Sequence, residues 1–228
     1  MLNDFLSLVF PKVCHACGKS LLKKEDCICT HCLYHLPKTN FHLYADNPVV
    51  KLFWGRTPIA SASSMYSFSK GGKVQQLIHQ LKYRGKKEIG ISLGKHYGIE
   101  LKKSPLFSSA NVVMPVPLHR KKMKKRGYNQ SETFAQGIAQ SMDIESPANV
   151  LLRKFSSDTQ TRKSRFARWK NVEEIFCVVA PEKLEGKHVL LVDDVVTTGS
   201  TLEACANKIL EVPGTKVSVA TIAFTANH

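Results

Sequence analysis

The run VLLVDDVVTTGSTLEA, residues 189–204, constrains the fold more than any other stretch of the chain. HVLLV at 188–192 has the length and apolarity of a strand buried on both faces, and LEACANKILE sets Leu202, Ala206 and Ile209 on one side of a helix. Between them lie two adjacent carboxylates, Asp193 and Asp194, and a Thr/Gly/Ser turn. A buried strand passing through a tight turn into a helix is the unit of a parallel sheet, because parallel neighbours need a crossover.

The rest of the chain carries the same alternation. IASASSMYSFS sets Ala62, Ser64, Tyr66 and Phe68 on one side of a strand, and KVQQLIHQLKYRG spaces Val74, Leu77, Ile78 and Leu81 for a helix that stops near Gly85. EIGISLGKHYGIELKK is a second helix whose Gly90, Gly94 and Gly98 form a flat stripe, suited to close approach by a sheet or another helix. NVVMPVP reads as a short buried strand, followed by a helix with Phe134, Ile138 and Met142 on one face and Asn129 and Glu132 spaced as a capping box. EIFCVV and KVSVATIAF add apolar strands. The expected fold is α/β, a mostly parallel twisted sheet flanked by helices, and 228 residues suit one such domain plus a small appendage. The division expected is 1–56 for an N-terminal helix, a metal module and a linker, and 57–228 for the α/β domain.

The appendage announces itself through cysteine. Cys14 and Cys17 form CHAC, Cys29 and Cys32 form CTHC, and eleven residues separate the pairs. Two C-x2-C turns aim four sulfurs at one ion, so a structural four-thiolate zinc site is expected, closed to water. His15 and His31 lie inside the knuckles as alternative ligands, and Cys27 is left over as a bystander. MLNDFLSLVF has no basic leader and meets Pro11 early; Leu2, Phe5, Leu6 and Val9 read as a short amphipathic helix rather than a secretory or membrane segment, and a cytoplasmic protein without membrane insertion is expected.

The acidic pair explains the hydroxyl-rich turn after it. Ligands of open α/β sheets bind beyond the carboxyl ends of the strands. There Thr197, Thr198, Ser200 and Thr201, with backbone N–H groups at a helix N-terminus, suit one phosphate, while Gly199 lets the chain approach it. Asp193 and Asp194 then suit the hydroxyls of a sugar, and a ribose 5-phosphate satisfies both halves. G-x-x-x-x-G-K-[ST] and G-x-G-x-x-G are absent, which weakens nucleoside triphosphatase and dinucleotide readings.

The stretch VLLVDDVVTTGSTL resembles the phosphoribosyl-pyrophosphate loop of type I phosphoribosyltransferases. The resemblance implies that Asp193 and Asp194 contact ribose and that Val195, Val196, Thr197, Thr198, Gly199, Ser200 and Thr201 hold its 5-phosphate. CHAC, CTHC, LKYRGK, MPVPLHRKKMKKRGYNQSETFA, DTQTRKSRFARWKNVEEIF and VDDVVTTGSTL occur in the order of the competence ComF family, which the chain resembles over nearly its whole length. That family resembles a type I phosphoribosyltransferase fused behind a four-cysteine zinc module, and its members are associated with DNA uptake in natural transformation. One small departure is KMKKRGYNQ, where the family often carries Arg in the basic run and Phe in place of Tyr128.

Lys and Arg number 33 against 18 Asp and Glu, so phosphate-bearing partners fit the charge. RKKMKKR concentrates Arg120, Lys121, Lys122, Lys124, Lys125 and Arg126 in an expected exposed loop after the NVVMPVP strand. In a transferase that loop closes over pyrophosphate, magnesium accompanies phosphoribosyl pyrophosphate, and Asp193 and Asp194 act in catalysis. Alternatively RKKMKKR and RKSRFARWK bind single-stranded DNA, with Tyr128, Phe166 or Trp169 stacking on bases, in a competence protein without transferase activity that meets the DNA-uptake machinery. Few residues follow Phe224, so the hood over an acceptor is expected to be N-terminal, built from the zinc module and the FWGR linker.

Overall fold

The computed structural model describes residues 11–154 and 175–225. The expected helix at 1–10 and the basic segment with Arg162, Lys163, Arg165, Phe166, Arg168, Trp169 and Lys170 lie outside the described residues. The strands are β1 (Ser61–Ser67), β2 (Val112–Pro115), β3 (Leu151–Arg153), β4 (Phe176–Val178), β5 (His188–Val196) and β6 (Lys216–Phe224). The helices are α1 (Thr30–His35), α2 (Pro48–Lys51), α3 (Lys73–Tyr83), α4 (Lys87–Lys103), α5 (Arg120–Arg126), α6 (Gln130–Met142) and α7 (Ser200–Leu210).

β1, β6, β5 and β2 form one sheet in that order, parallel throughout. Both faces are covered, which is why HVLLV and KVSVATIAF are continuous apolar runs rather than alternating ones. On one face Val74, Leu77 and Leu81 of α3, Leu93 and Tyr97 of α4 and Phe134 and Ile138 of α6 cover Leu190, Val192 and Ile222. On the other, Leu202, Cys205 and Ile209 of α7 cover Leu191, Val217 and Val219, together with Val49, Val50 and Phe53 from α2 and the turn after it. EIFCVV departs from expectation: β4 leaves the parallel sheet and pairs antiparallel with β3, Leu152 opposite Cys177.

The glycine stripe of α4 meets α6. A Cβ on Gly94 would stand 2.3 Å from the carbonyl oxygen of Phe134, and one on Gly137 of α6 would stand 2.2 Å from that of Ile91. The two backbones therefore touch where side chains are missing.

The segment after the metal module covers the open edge of β1. Ser67 N–H donates to the Pro37 carbonyl, Thr39 N–H to the Met65 carbonyl, and Lys38 bridges antiparallel to Tyr66. An edge strand so covered offers no free ladder to another chain.

Candidate functional site

The acidic pair sits where β5 outruns its neighbour. β2 ends with Pro115 opposite Val192, whereas β5 stays paired with β6 as far as Val196 opposite Phe224. From Asp193 onward one side of β5 is open to the N-terminus of α6, which Asn129 caps by accepting the Ser131 N–H.

Each carboxylate has its own partners. Ser131 Oγ donates to Asp193 Oδ1 at 2.7 Å, and the Asp194 N–H donates to the same oxygen at 2.8 Å. Lys82 Nζ, from the last turn of α3, stands 3.1 Å from Asp194 Oδ2. That oxygen is buried and, among the described residues, has no hydrogen-bond partner in good geometry. Burial first, then the neighbouring Asp194 charge, push the Asp193 carboxyl up to about 7, against the opposing Ser131 hydroxyl, the Asp194 N–H and the Lys82 charge.

Beyond the pair, Val195, Val196, Thr197, Thr198, Gly199, Ser200, Thr201 and Leu202 line a small cleft shared with Asp193. Gly199, at φ 78° in the left-handed region, turns the chain into α7. Among the described residues no side chain caps α7, so its first N–H groups have no side-chain acceptor at the cap. Thr197, Thr198, Ser200 and Thr201 are exposed, and Thr198 Oγ1 lies 3.0 Å from Ser200 Oγ.

The basic run is helix α5, not a loop. His119 caps it, Nδ1 accepting the Lys121 N–H, and Gly127 closes it in the left-handed region at φ 75°. Both caps are present in the sequence, and Lys and Arg are good helix formers. None of its residues is buried. Tyr128 is corrected too: it is buried, its hydroxyl donates to the Leu81 carbonyl, and Lys87 covers its ring at 5.1 Å, so no base stacks there. The exposed ring nearby is Tyr83, with Arg126 5.3 Å from its centroid.

Cys14, Cys17, Cys29 and Cys32 converge as expected, their sulfurs all within 4.8 Å of one another. Cys17 and Cys29 sulfurs are 3.8 Å apart, the spacing that Zn–S bonds of about 2.3 Å give in a tetrahedron. The N–H groups of Ala16 and Cys29 point at Cys14 Sγ. Burial raises the Cys14 thiol, but these donors and Cys17 outweigh it and bring it to about 7. Burial and the adjacent sulfurs push Cys32 far up. Such a set resists full ionisation until a cation enters it, and therefore fits a structural zinc ion. Cys27 is outside the set: its Sγ donates to the Glu88 carbonyl at 3.6 Å. His15 is outside as well, pairing with Glu88 at 3.1 Å, and His31 stacks on His35. The module is docked on α3 and α4 through Glu88 and through Gln80 Nε2, which donates to the His15 carbonyl.

Ser131, Lys82 and Arg56 were not singled out by sequence reasoning, although NQSET, LKYRGK and FWGR contain them. Nothing in those strings says that they converge on residues more than sixty positions away.

A family model described as the phosphoribosyl transferase domain matches residues 129–228, so this part of the chain has a phosphoribosyltransferase-type fold. Relatives narrow this. The chain is 26% identical to the DNA utilization protein YhgH of Escherichia coli K12, over 87% of this chain and 84% of that one. It is 25% identical to the competence protein ComFC of Bacillus subtilis 168, over 88% and 78%, and 30% identical to competence protein F of Haemophilus influenzae Rd, over 55% and 57%. Over most of its length the chain is similar to ComF-type competence and DNA utilization proteins. Among the described residues no helix is long and apolar enough to cross a membrane.

Proposed function

We propose that the chain binds phosphoribosyl pyrophosphate, or a related ribose phosphate, at the end of β5, and that it serves DNA uptake. The observation that carries this reading is the single cleft shared by Asp193 and residues 195–202. In it the uncapped N–H groups and exposed hydroxyls of Thr197, Thr198, Ser200 and Thr201 take the 5-phosphate, and Asp193 and Asp194 take the ribose hydroxyls. In a transfer reaction the C1–oxygen bond to diphosphate breaks with its electron pair leaving on the diphosphate, and an acceptor atom forms the new bond to C1. The positive charge developing on the ribose is met by the two carboxylates.

Magnesium, when bound, neutralises the leaving diphosphate. Lys82 already occupies the approach to Asp194 Oδ2 at 3.1 Å, so the chain suits an ion carried by the diphosphate rather than one ligated by Asp194. Arg120, Lys121, Lys122, Lys124, Lys125 and Arg126 then face the diphosphate from α5. The zinc module with residues up to 56 is the hood, and 57–228 the transferase-type domain. Titration calorimetry with phosphoribosyl pyrophosphate and magnesium is the test. Saturable binding lost in the Asp193→Asn, Asp194→Asn double variant supports the reading, and an equal isotherm for both chains sinks it.

A second reading has its own observation: six cations on α5, no buried residue among them, beside exposed Tyr83. Such a surface fits the backbone and bases of single-stranded DNA. It predicts affinity that falls steeply with salt, a slope shallower by about one for each phosphate contact removed from α5, and no response to the double Asp variant.

A further inference from the structure

Arg56 joins the turn after α2 to the start of α7, nearly 150 positions later in sequence. Its Nη1 donates to the Leu52 carbonyl at 3.0 Å and to the Thr198 carbonyl at 3.1 Å. Its Nε donates to Glu203 Oε1 at 3.2 Å, and Nη2 to Oε2. Phe53, three residues earlier, is buried under the same turn, and a Cβ on Gly199 would meet its ring at 3.4 Å.

Two consequences follow for a phosphate at this turn. Glu203 is the acidic residue in the first turn of α7, where the helix dipole and free N–H groups would draw an anion. Unpaired, its carboxylate would repel a phosphate; paired through a two-nitrogen fork, its field is largely cancelled. The second consequence concerns the backbone. The Thr198–Gly199 peptide is trans, so holding the Thr198 carbonyl toward Arg56 sends the Gly199 N–H to the opposite side.

We infer that Arg56 is a positioning residue for the phosphate turn, neutralising Glu203 and fixing the Thr198–Gly199 peptide so that the turn accepts a phosphate dianion. The inference rests on the ribose phosphate reading above and assigns to the N-terminal linker a share in the site. Its role is exerted through Thr198 and Glu203.

The test is titration of the full zinc-loaded chain with D-ribose 5-phosphate and with inorganic phosphate, for wild type, Arg56→Gln, Glu203→Gln and the double variant. Arg56→Gln is expected to weaken both ligands about tenfold, whereas Glu203→Gln binds as well as wild type or better. The double variant recovers a large part of the loss because the repelling carboxylate is gone, a rescue that general loosening of the fold would not give. Arg56→Lys, which keeps the charge but not the fork, loses less than Arg56→Gln and covers the case in which the latter folds poorly. Wild-type affinity in Arg56→Gln, or a double variant no better than Arg56→Gln, overturns the inference while leaving the phosphate reading standing. A wild-type chain that takes up neither ligand ends both.

Discussion

Lys82 Nζ lies 3.1 Å from Asp194 Oδ2, and the two side chains are mostly buried. In the same turn of that helix, Gln80 donates to the His15 carbonyl of the metal module, and the Leu81 carbonyl accepts the Tyr128 hydroxyl. The last turn of α3 thus ties the four-cysteine module to the acidic pair.

Removing the Lys82 charge leaves a buried carboxylate without its cation. Lys82→Met is expected to lower the unfolding free energy by about 2–3 kcal/mol, and Asp194→Asn in that background to restore most of it. Urea denaturation of the four chains of this cycle reads the coupling directly. Additive effects would mean that the two groups do not sense one another.

Asp193 makes stability fall with rising pH. Its folded carboxyl sits at about 7 while the unfolded one ionises near 4, so between these values the folded state holds the extra proton. The penalty is absent below about pH 4, grows through the window and is complete above about pH 7. Asp193→Asn keeps an acceptor for Ser131 and cannot ionise. It should be clearly more stable than wild type at pH 8 and nearly equal to it at about pH 3.5, below the unfolded pKa. Thermal melts across that range check the sign, which a pH-independent difference would contradict.

The cysteine module should bind one zinc ion per chain. Chelation is expected to lower Tm and to speed amide exchange at Gln80–Lys82 and at Glu88, where the module docks. Cys32→Ser should abolish zinc retention, whereas Cys27→Ser should keep the metal. Retention in the first, or loss in the second, would reassign the ligand set.

The α4–α6 contact admits no side chain. Gly94→Ala should cost about 2–3 kcal/mol, since the Phe134 carbonyl is backbone and cannot move aside. Gly71, in the left-handed region but with nothing within 4 Å, should lose only about 1 kcal/mol to Ala. Equal losses at the two positions would mean that α4 and α6 separate easily.

Local pattern carried much of the fold. The apolar length of HVLLV and KVSVATIAF, the periodicity around Leu77 and Phe134, and the empty stripe at Gly90, Gly94 and Gly98 each specify an element or a contact from neighbouring residues alone. The same holds for the two C-x2-C turns and for the order strand, acid, acid, hydroxyl turn, helix. The misreadings had nearby causes. RKKMKKR is expected as a loop because it lies between a strand end and a helix, a place that does not exclude a short helix closed by Gly127, and EIFCVV is expected in the main sheet because an apolar strand does not reveal its partner.

What the sequence determined by itself is therefore short-range: which segments are strand or helix, which sulfurs point together, and which loop offers N–H groups and hydroxyls. Only the tertiary structure decided that Lys82 reaches Asp194, that Ser131 holds Asp193 and that Arg56 holds Thr198 and Glu203. Those partners are 62 or more positions apart in every case but none lies far in space. Periodicity reports which face of an element is buried; the identity of what lies opposite is set by how strands order in the sheet and where each one ends.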